Sequence, residues 1–170
     1  MALVQMADTP NLLAINLSAE SVADFAFRHE FMKVLQAHPG VRERLLVEVT
    51  EHGVFRHFDA FRDLVEAIKP LGCRVGIEYF GPRFAEGHRI VHLALDYIKV
   101  HPSYVEGIAQ NPQSQEFLQG LCRMARNLGI EVIALGVTEP GDIPLLAALG
   151  VDGVTGPAIK QAGSTPEGAS

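Results

Sequence analysis

The 170 residues include no tryptophan, two cysteines and no apolar run near the roughly 20 residues that a membrane span requires. Cys73 and Cys122 lack the CxxC spacing of a zinc ribbon or dithiol redox centre, so they read as structural thiols of a reducing compartment. The opening MALVQMADTP has neither the basic start nor the long apolar stretch of a signal peptide, so a soluble segment is expected. Basic residues are also scarce. Lys and Arg total 14 against 20 Asp and Glu, the formal net charge is -6 and the pI is near 5.6. Without clustered cations a nucleic-acid polymer is excluded as a partner, while a phosphate held at one local site is not. A Gly-rich fingerprint after the first strand is missing as well, which sets a Rossmann nucleotide site aside.

What is present is a chain with 48% hydrophobic residues, enough to bury a sizeable core as one globular domain or a large part of one. Short apolar runs rich in β-branched residues recur at 12–18 (LLAINLS), 45–50 (LLVEVT), 73–80 (CRVGIEYF), 95–100 (LDYIKV), 130–137 (IEVIALGV) and 151–156 (VDGVTG). They do not alternate apolar and polar, so each predicts a strand covered on both faces. Helical periodicity fills the intervals, at about 21–37, 58–68 and 84–94, in SQEFLQGLCRMARNLG up to a capping glycine, Gly129, and in GDIPLLAALG up to Gly150. Repeated strand and helix through six strands predicts an α/β fold with a parallel sheet, either doubly wound or part of a (β/α)8 barrel.

Polar side chains stand at or just past the carboxyl end of most runs: Asn16, Glu48 and Glu51, Glu78, Lys99 and His101, then Thr155. Barrels place active sites at that rim, with several strands each giving a residue. An Asn, two Glu and a Lys converging there would offer oxygen ligands to Mg or Mn and a cation to hold phosphate. The competing reading makes Glu48 and Lys99 a structural ion pair and Asn16 a turn cap. The cost of placing charge inside a doubly covered strand favours function. His88 and His92 have i, i+4 spacing but no accompanying Glu or third ligand, and His52 and His57 flank a loop, so all four read as surface residues. The clusters Phe25, Phe27, Phe31 and Phe55, Phe58, Phe61 read as helix faces turned to the core.

In order and at fitting intervals, INLS, VEVTE, VGIEYFG, YIKV, ALGV and GVDGVTG resemble the motifs of EAL domains, the cyclic di-GMP phosphodiesterases, over roughly residues 10–159. The resemblance begins in the family's third strand. The two strands before it, one bearing the Glu-Ala-Leu signature, have no counterpart here, so it implies a TIM-barrel-like fold in incomplete form with about six mainly parallel strands. A lead-in over 1–9, a partial domain over 10–160 and a flexible tail over 161–170 are then expected. Asn16 and Glu48 match metal ligands of the family, and Glu78 keeps one carboxylate of its DDFG motif. Tyr79 replaces the second Asp, and Leu135 stands where a catalytic Glu is expected. Lys99 matches the lysine of the KID motif, but His101 follows in place of its acid. Thr155 and Pro157 lie in the remnant of the QGYLF motif.

These departures imply a degenerate domain that has lost hydrolysis and retains Asn16, Glu48, Glu78, Tyr79, Lys99, His101, Thr155 and Pro157 as a nucleotide-binding set. Among such domains the wording looks most like LapD-type receptors. That likeness implies cyclic di-GMP as ligand with no cofactor required, and a place at the cytoplasmic face of the inner membrane within a longer receptor controlling adhesion and biofilm. A scaffold that binds proteins but no nucleotide, and a residual phosphodiesterase using Mg or Mn, are the alternatives. An open barrel would also expose sheet edges, which predicts self-association.

Overall fold

A computed structural model describes residues 12–162. The expected lead-in over 1–9 and most of the expected tail lie outside that range. Six parallel strands follow one another in the order β1-β2-β3-β4-β5-β6: β1 (Leu13–Leu17), β2 (Leu45–Thr50), β3 (Arg74–Phe80), β4 (Tyr97–Val100), β5 (Glu131–Ala134) and β6 (Gly153–Val154). The predicted strands and α/β class are thus observed. By packing, the described residues divide into two compact units, the first ending at Ile98 and the second beginning at Lys99.

In the first unit β1 to β3 form a parallel ladder. Asn16 lies opposite Glu48, Glu48 opposite Gly76 and Thr50 opposite Glu78. Residues Leu45 to Val49 are all buried, as the unbroken apolar run requires of a strand covered on both faces. Helices α1 (Ala19–Ala23) and α2 (Phe25–Ala37) replace the single helix expected over 21–37. Asp24 is the cause. Its extended backbone ends α1, and its Oδ1 accepts from the amides of Ala26 and Phe27 at 2.8 and 3.3 Å, capping α2. Phe25, on the first turn past that cap, is 75% exposed, which corrects its expected place in the core. After α3 (Pro39–Arg42) and β2, Thr50 caps α4 (Glu51–Arg56) through the Gly53 amide at 3.2 Å. In α5 (Phe58–Ile68) the stripe Phe61, Leu64, Val65 and Ile68 is buried at helical spacing. Each such side chain contributes about 1.5–3 kcal/mol by leaving water.

The helix predicted over 84–94 is instead a nine-residue 3-10 run, Phe84–His92. Pro82 and Gly87 weaken α-helical propensity there, and three-residue turns are sustained by contacts described below. Asp96 closes the unit's base: its Oδ2 accepts from the Val75 amide at 2.6 Å while both carboxylate oxygens take Lys69 Nζ at 2.7 Å.

In the second unit Asn111 caps α6 (Pro112–Asn127) through the Ser114 amide at 3.1 Å, with Pro112 at the first helical position. Gly129, at φ 70, lets Ile130 donate back to the Ala125 carbonyl, so the predicted glycine stop is observed. Helix α7 (Ile143–Leu149) ends in the same manner at Gly150, and α8 (Pro157–Ala162) follows β6. Asp152 Oδ2 accepts from the Val132 amide at 2.8 Å, repeating at β5 the device that Asp96 provides at β3.

Candidate functional site

The register of the first three strands aligns the residues that the sequence singles out. Asn16, Glu48 and Gly76 form one row across β1, β2 and β3, and register partners in parallel strands project to the same face. Glu78, two residues past Gly76, lies on that face one step nearer the carboxyl end. Glu48 and Glu78 are 1% and 7% exposed, whereas Asn16 is exposed.

A buried carboxylate needs a donor, and Tyr97 supplies one. Its phenol, on a fully buried ring, donates to Glu48 Oε1 at 2.7 Å. Burial first, and then the Glu48 charge, push this phenol above its ordinary pKa, so it remains the protonated donor. The ring reaches Glu48 by crossing Gly76: a Cβ built there would stand 2.1 Å from Tyr97 Cε2. Motif reading passed over Tyr97. A glycine inside an otherwise bulky strand was the available signal, since it marks a close approach by another group.

Tyr79 differs from its neighbours. It alone among the described non-glycine residues has a left-handed backbone, φ 55, and its side chain is 46% exposed. For an aromatic residue this conformation costs about 1–2 kcal/mol. Glu51, expected at the rim as a functional acid, instead fixes the backbone that follows. Its Oε1 accepts from the Gly81 amide and its Oε2 from the Arg83 amide, each at 2.9 Å. Burial raises the Glu51 pKa, and the two amide bonds partly offset that rise.

In the second unit Lys99 is 1% exposed on β4. His101, half-buried, caps the short turn Pro102–Tyr104. Its Nδ1 accepts from the Ser103 amide at 3.1 Å and lies 2.9 Å from Ser103 Oγ. Leu135 follows β5 directly, its amide donating to the Val100 carbonyl at 3.4 Å. Thr155 holds the exits of β5 and β6 together through backbone alone, donating to Ala134 and accepting from Val137. Gly156, at φ 139, packs so tightly on Val137 that a Cβ would stand 2.5 Å from its N and O atoms. Pro157 is exposed at the start of α8. His88, His92 and His52 are exposed, as surface residues should be. Among the described residues no three of His, Cys, Asp and Glu gather in a group that could hold a metal ion.

The EAL domain model matches residues 1–162. The chain belongs to the EAL domain family. It is 27% identical over 143 residues to the cyclic di-GMP phosphodiesterase PdeF of Escherichia coli, covering 84% of this chain and 19% of that protein. The structure of the Xanthomonas citri FimX EAL domain in complex with c-diGMP superposes with a TM-score of 0.76 at 25% identity, over 86% of this chain and 58% of that one. The S helix-GGDEF-EAL structure of Vibrio cholerae LapD superposes with a TM-score of 0.82 at 21% identity, over 90% and 37%, a likeness of fold. This EAL chain spans between about a fifth and a third of the first curated relatives it matches. Among its described residues no helix is long and apolar enough to cross a membrane.

Proposed function

We propose that this EAL domain binds cyclic di-GMP as a receptor module and does not hydrolyse it. The observation that carries the reading is the pair of side chains at the ends of β3 and β5. Tyr79 and Leu135 stand where the family motifs place acids, and neither supplies a carboxylate to bind a cation or move a proton. The donors that remain do not fit a two-cation centre. Asn16, Glu48 and Glu78 are neutral or singly acidic, and one oxygen of Glu48 already takes the Tyr97 phenol.

The same set suits a nucleotide held without chemistry. Tyr79 offers an exposed ring for a guanine base, and Asn16 an exposed amide for its polar edge. The family motifs assign Glu78, Lys99, His101, Thr155 and Pro157 to the ligand as well. Cyclic di-GMP binding by relatives such as the FimX EAL domain supports the choice of ligand. Self-association, and membership of a longer receptor at the inner membrane that governs adhesion and biofilm, extend the proposal; light scattering that finds only monomer would remove the first.

Calorimetric titration with cyclic di-GMP, with and without Mg or Mn, tests the central claim on this chain and on one extended by the strands that the family places before β1. Metal-independent binding with no linear pGpG released is expected. Release of pGpG would establish a phosphodiesterase instead, and absence of binding by both chains would favour a protein-binding scaffold.

A further inference from the structure

The turn that follows β3 is built in an unusual way. Runs of 3-10 helix seldom exceed three or four residues, yet here one extends through the nine residues Phe84–His92. In this geometry side chains three apart eclipse one another. Arg83, Glu86 and Arg89 therefore stand in a row, the carboxylate between two guanidinium groups: Glu86 Oε1 pairs with Arg83, and Oε2 takes Arg89 Nη1 at 3.0 Å. The row leans on two rings from the neighbouring helices. Arg89 lies 4.2 Å from the Phe58 ring centre and 5.6 Å from that of Phe55, and Arg83 lies 5.4 Å from Phe55. Phe55 and Phe58 stack on each other within 5° of parallel. A guanidinium plane on an aromatic face, with its charge answered by a carboxylate, is a rigid contact that lysine cannot reproduce.

The near end of this row is tied to the ligand site. The Arg83 amide is one of the two that Glu51 accepts, the other being Gly81, and Tyr79 precedes Gly81 by two residues. A non-glycine residue with a left-handed backbone persists where the surrounding structure over-determines it. We propose that Arg89 is a positioning residue: stacked on Phe58 and paired with Glu86, it fixes the Phe84–His92 turn and so presets Tyr79 for ligand before any ligand arrives. Its link to nucleotide affinity rests on the receptor reading above. Its effect on the backbone does not.

The test uses the 170-residue chain with Arg89→Ala, Arg89→Lys and Phe58→Leu, the last removing the ring but keeping an apolar side chain. Amide hydrogen exchange at Gly81 and Arg83 is followed by NMR, with β2 amides as the control for global opening, and cyclic di-GMP is titrated into each variant. Exchange at Gly81 and Arg83 should rise about tenfold or more in all three variants while the β2 amides hold their rates, and affinity should fall by a similar factor. Unchanged exchange at those two amides, or full recovery by Arg89→Lys, would overturn the proposal. If the parent chain binds no cyclic di-GMP, the receptor reading fails and exchange alone decides the role of Arg89.

Discussion

One methyl group at Gly76 should be among the most damaging small changes this chain can suffer. In Gly76→Ala the new carbon would lie 2.1, 2.4 and 2.6 Å from three atoms of the Tyr97 ring. Carbon atoms prefer a separation of about 3.5 Å or more, so the ring must retreat by more than about 1 Å. Tyr97 is wholly buried and its phenol is committed to Glu48 at 2.7 Å, so a retreat loses the bond. Overpacking costs about 1–3 kcal/mol, and a hydrogen bond to a buried carboxylate contributes about 1.5–3 kcal/mol. Roughly 3–5 kcal/mol is therefore at stake, out of the 5–15 that hold a typical domain. Thermal unfolding should register it as a fall in Tm of roughly 6–20 °C for a chain of this length. Making the same change in a Tyr97→Leu background isolates the clash, because the methyl group then has room and its cost should fall below about 1 kcal/mol. A Gly76→Ala variant within about 0.5 kcal/mol of the parent, or one equally costly in both backgrounds, would refute the placement of Tyr97 over Gly76.

Three further outcomes are expected. Tyr79→Gly should hold or raise stability, by up to about 1 kcal/mol, because glycine accepts the left-handed backbone, whereas Tyr79→Val should lower it by about 1–2 kcal/mol; urea denaturation of the two variants checks the sign of each. The Glu51 carboxyl has a folded pKa raised above its ordinary 4.5 by burial. Its contribution is then fully present below the unfolded value and lost as pH rises through the folded one. The stability advantage of the parent over Glu51→Gln should shrink with rising pH across that window, and a growing advantage in denaturant titrations would contradict the assignment. Burial pushes Cys122 up to about 11 and raises Cys73 as well. Neither thiol should react with Ellman's reagent at pH 8 until urea is added, and one fast-reacting thiol in the folded chain would show that the packing around it is open.

The strands were legible because five of the six runs are nearly continuous in apolar residues, and a doubly covered strand permits little else. Helix ends were legible where a glycine stops them, at Gly129 and Gly150. Two features were not. The break between α1 and α2 depends on Asp24 satisfying two amides at once, a choice that helical periodicity does not record. The 3-10 run at Phe84–His92 depends on Phe55 and Phe58, brought to it by folding from nearly 30 residues earlier. Its internal spacing was nevertheless visible: Arg83, Glu86 and Arg89 recur every three residues, the period of a 3-10 helix and not of an α-helix.

The site divides along the same line. Position at a strand end marks Asn16, Glu48 and Glu78 as candidates, because a polar group there must face either solvent or a partner. The same reasoning misread Glu51, whose carboxylate turns back to hold Gly81 and Arg83, and it passed over Tyr97, whose polar atom sits on a ring that looks like core. Both errors concern a group that acts on its neighbour. A carboxylate beside a strand end can meet a ligand or fix the loop that meets it, and only the position of the accepting amides separates the two. In this chain Glu51 holds the backbone two residues past Tyr79, whose left-handed conformation costs about 1–2 kcal/mol. An exposed ring on a backbone already held in place is an arrangement suited to stacking on a planar base.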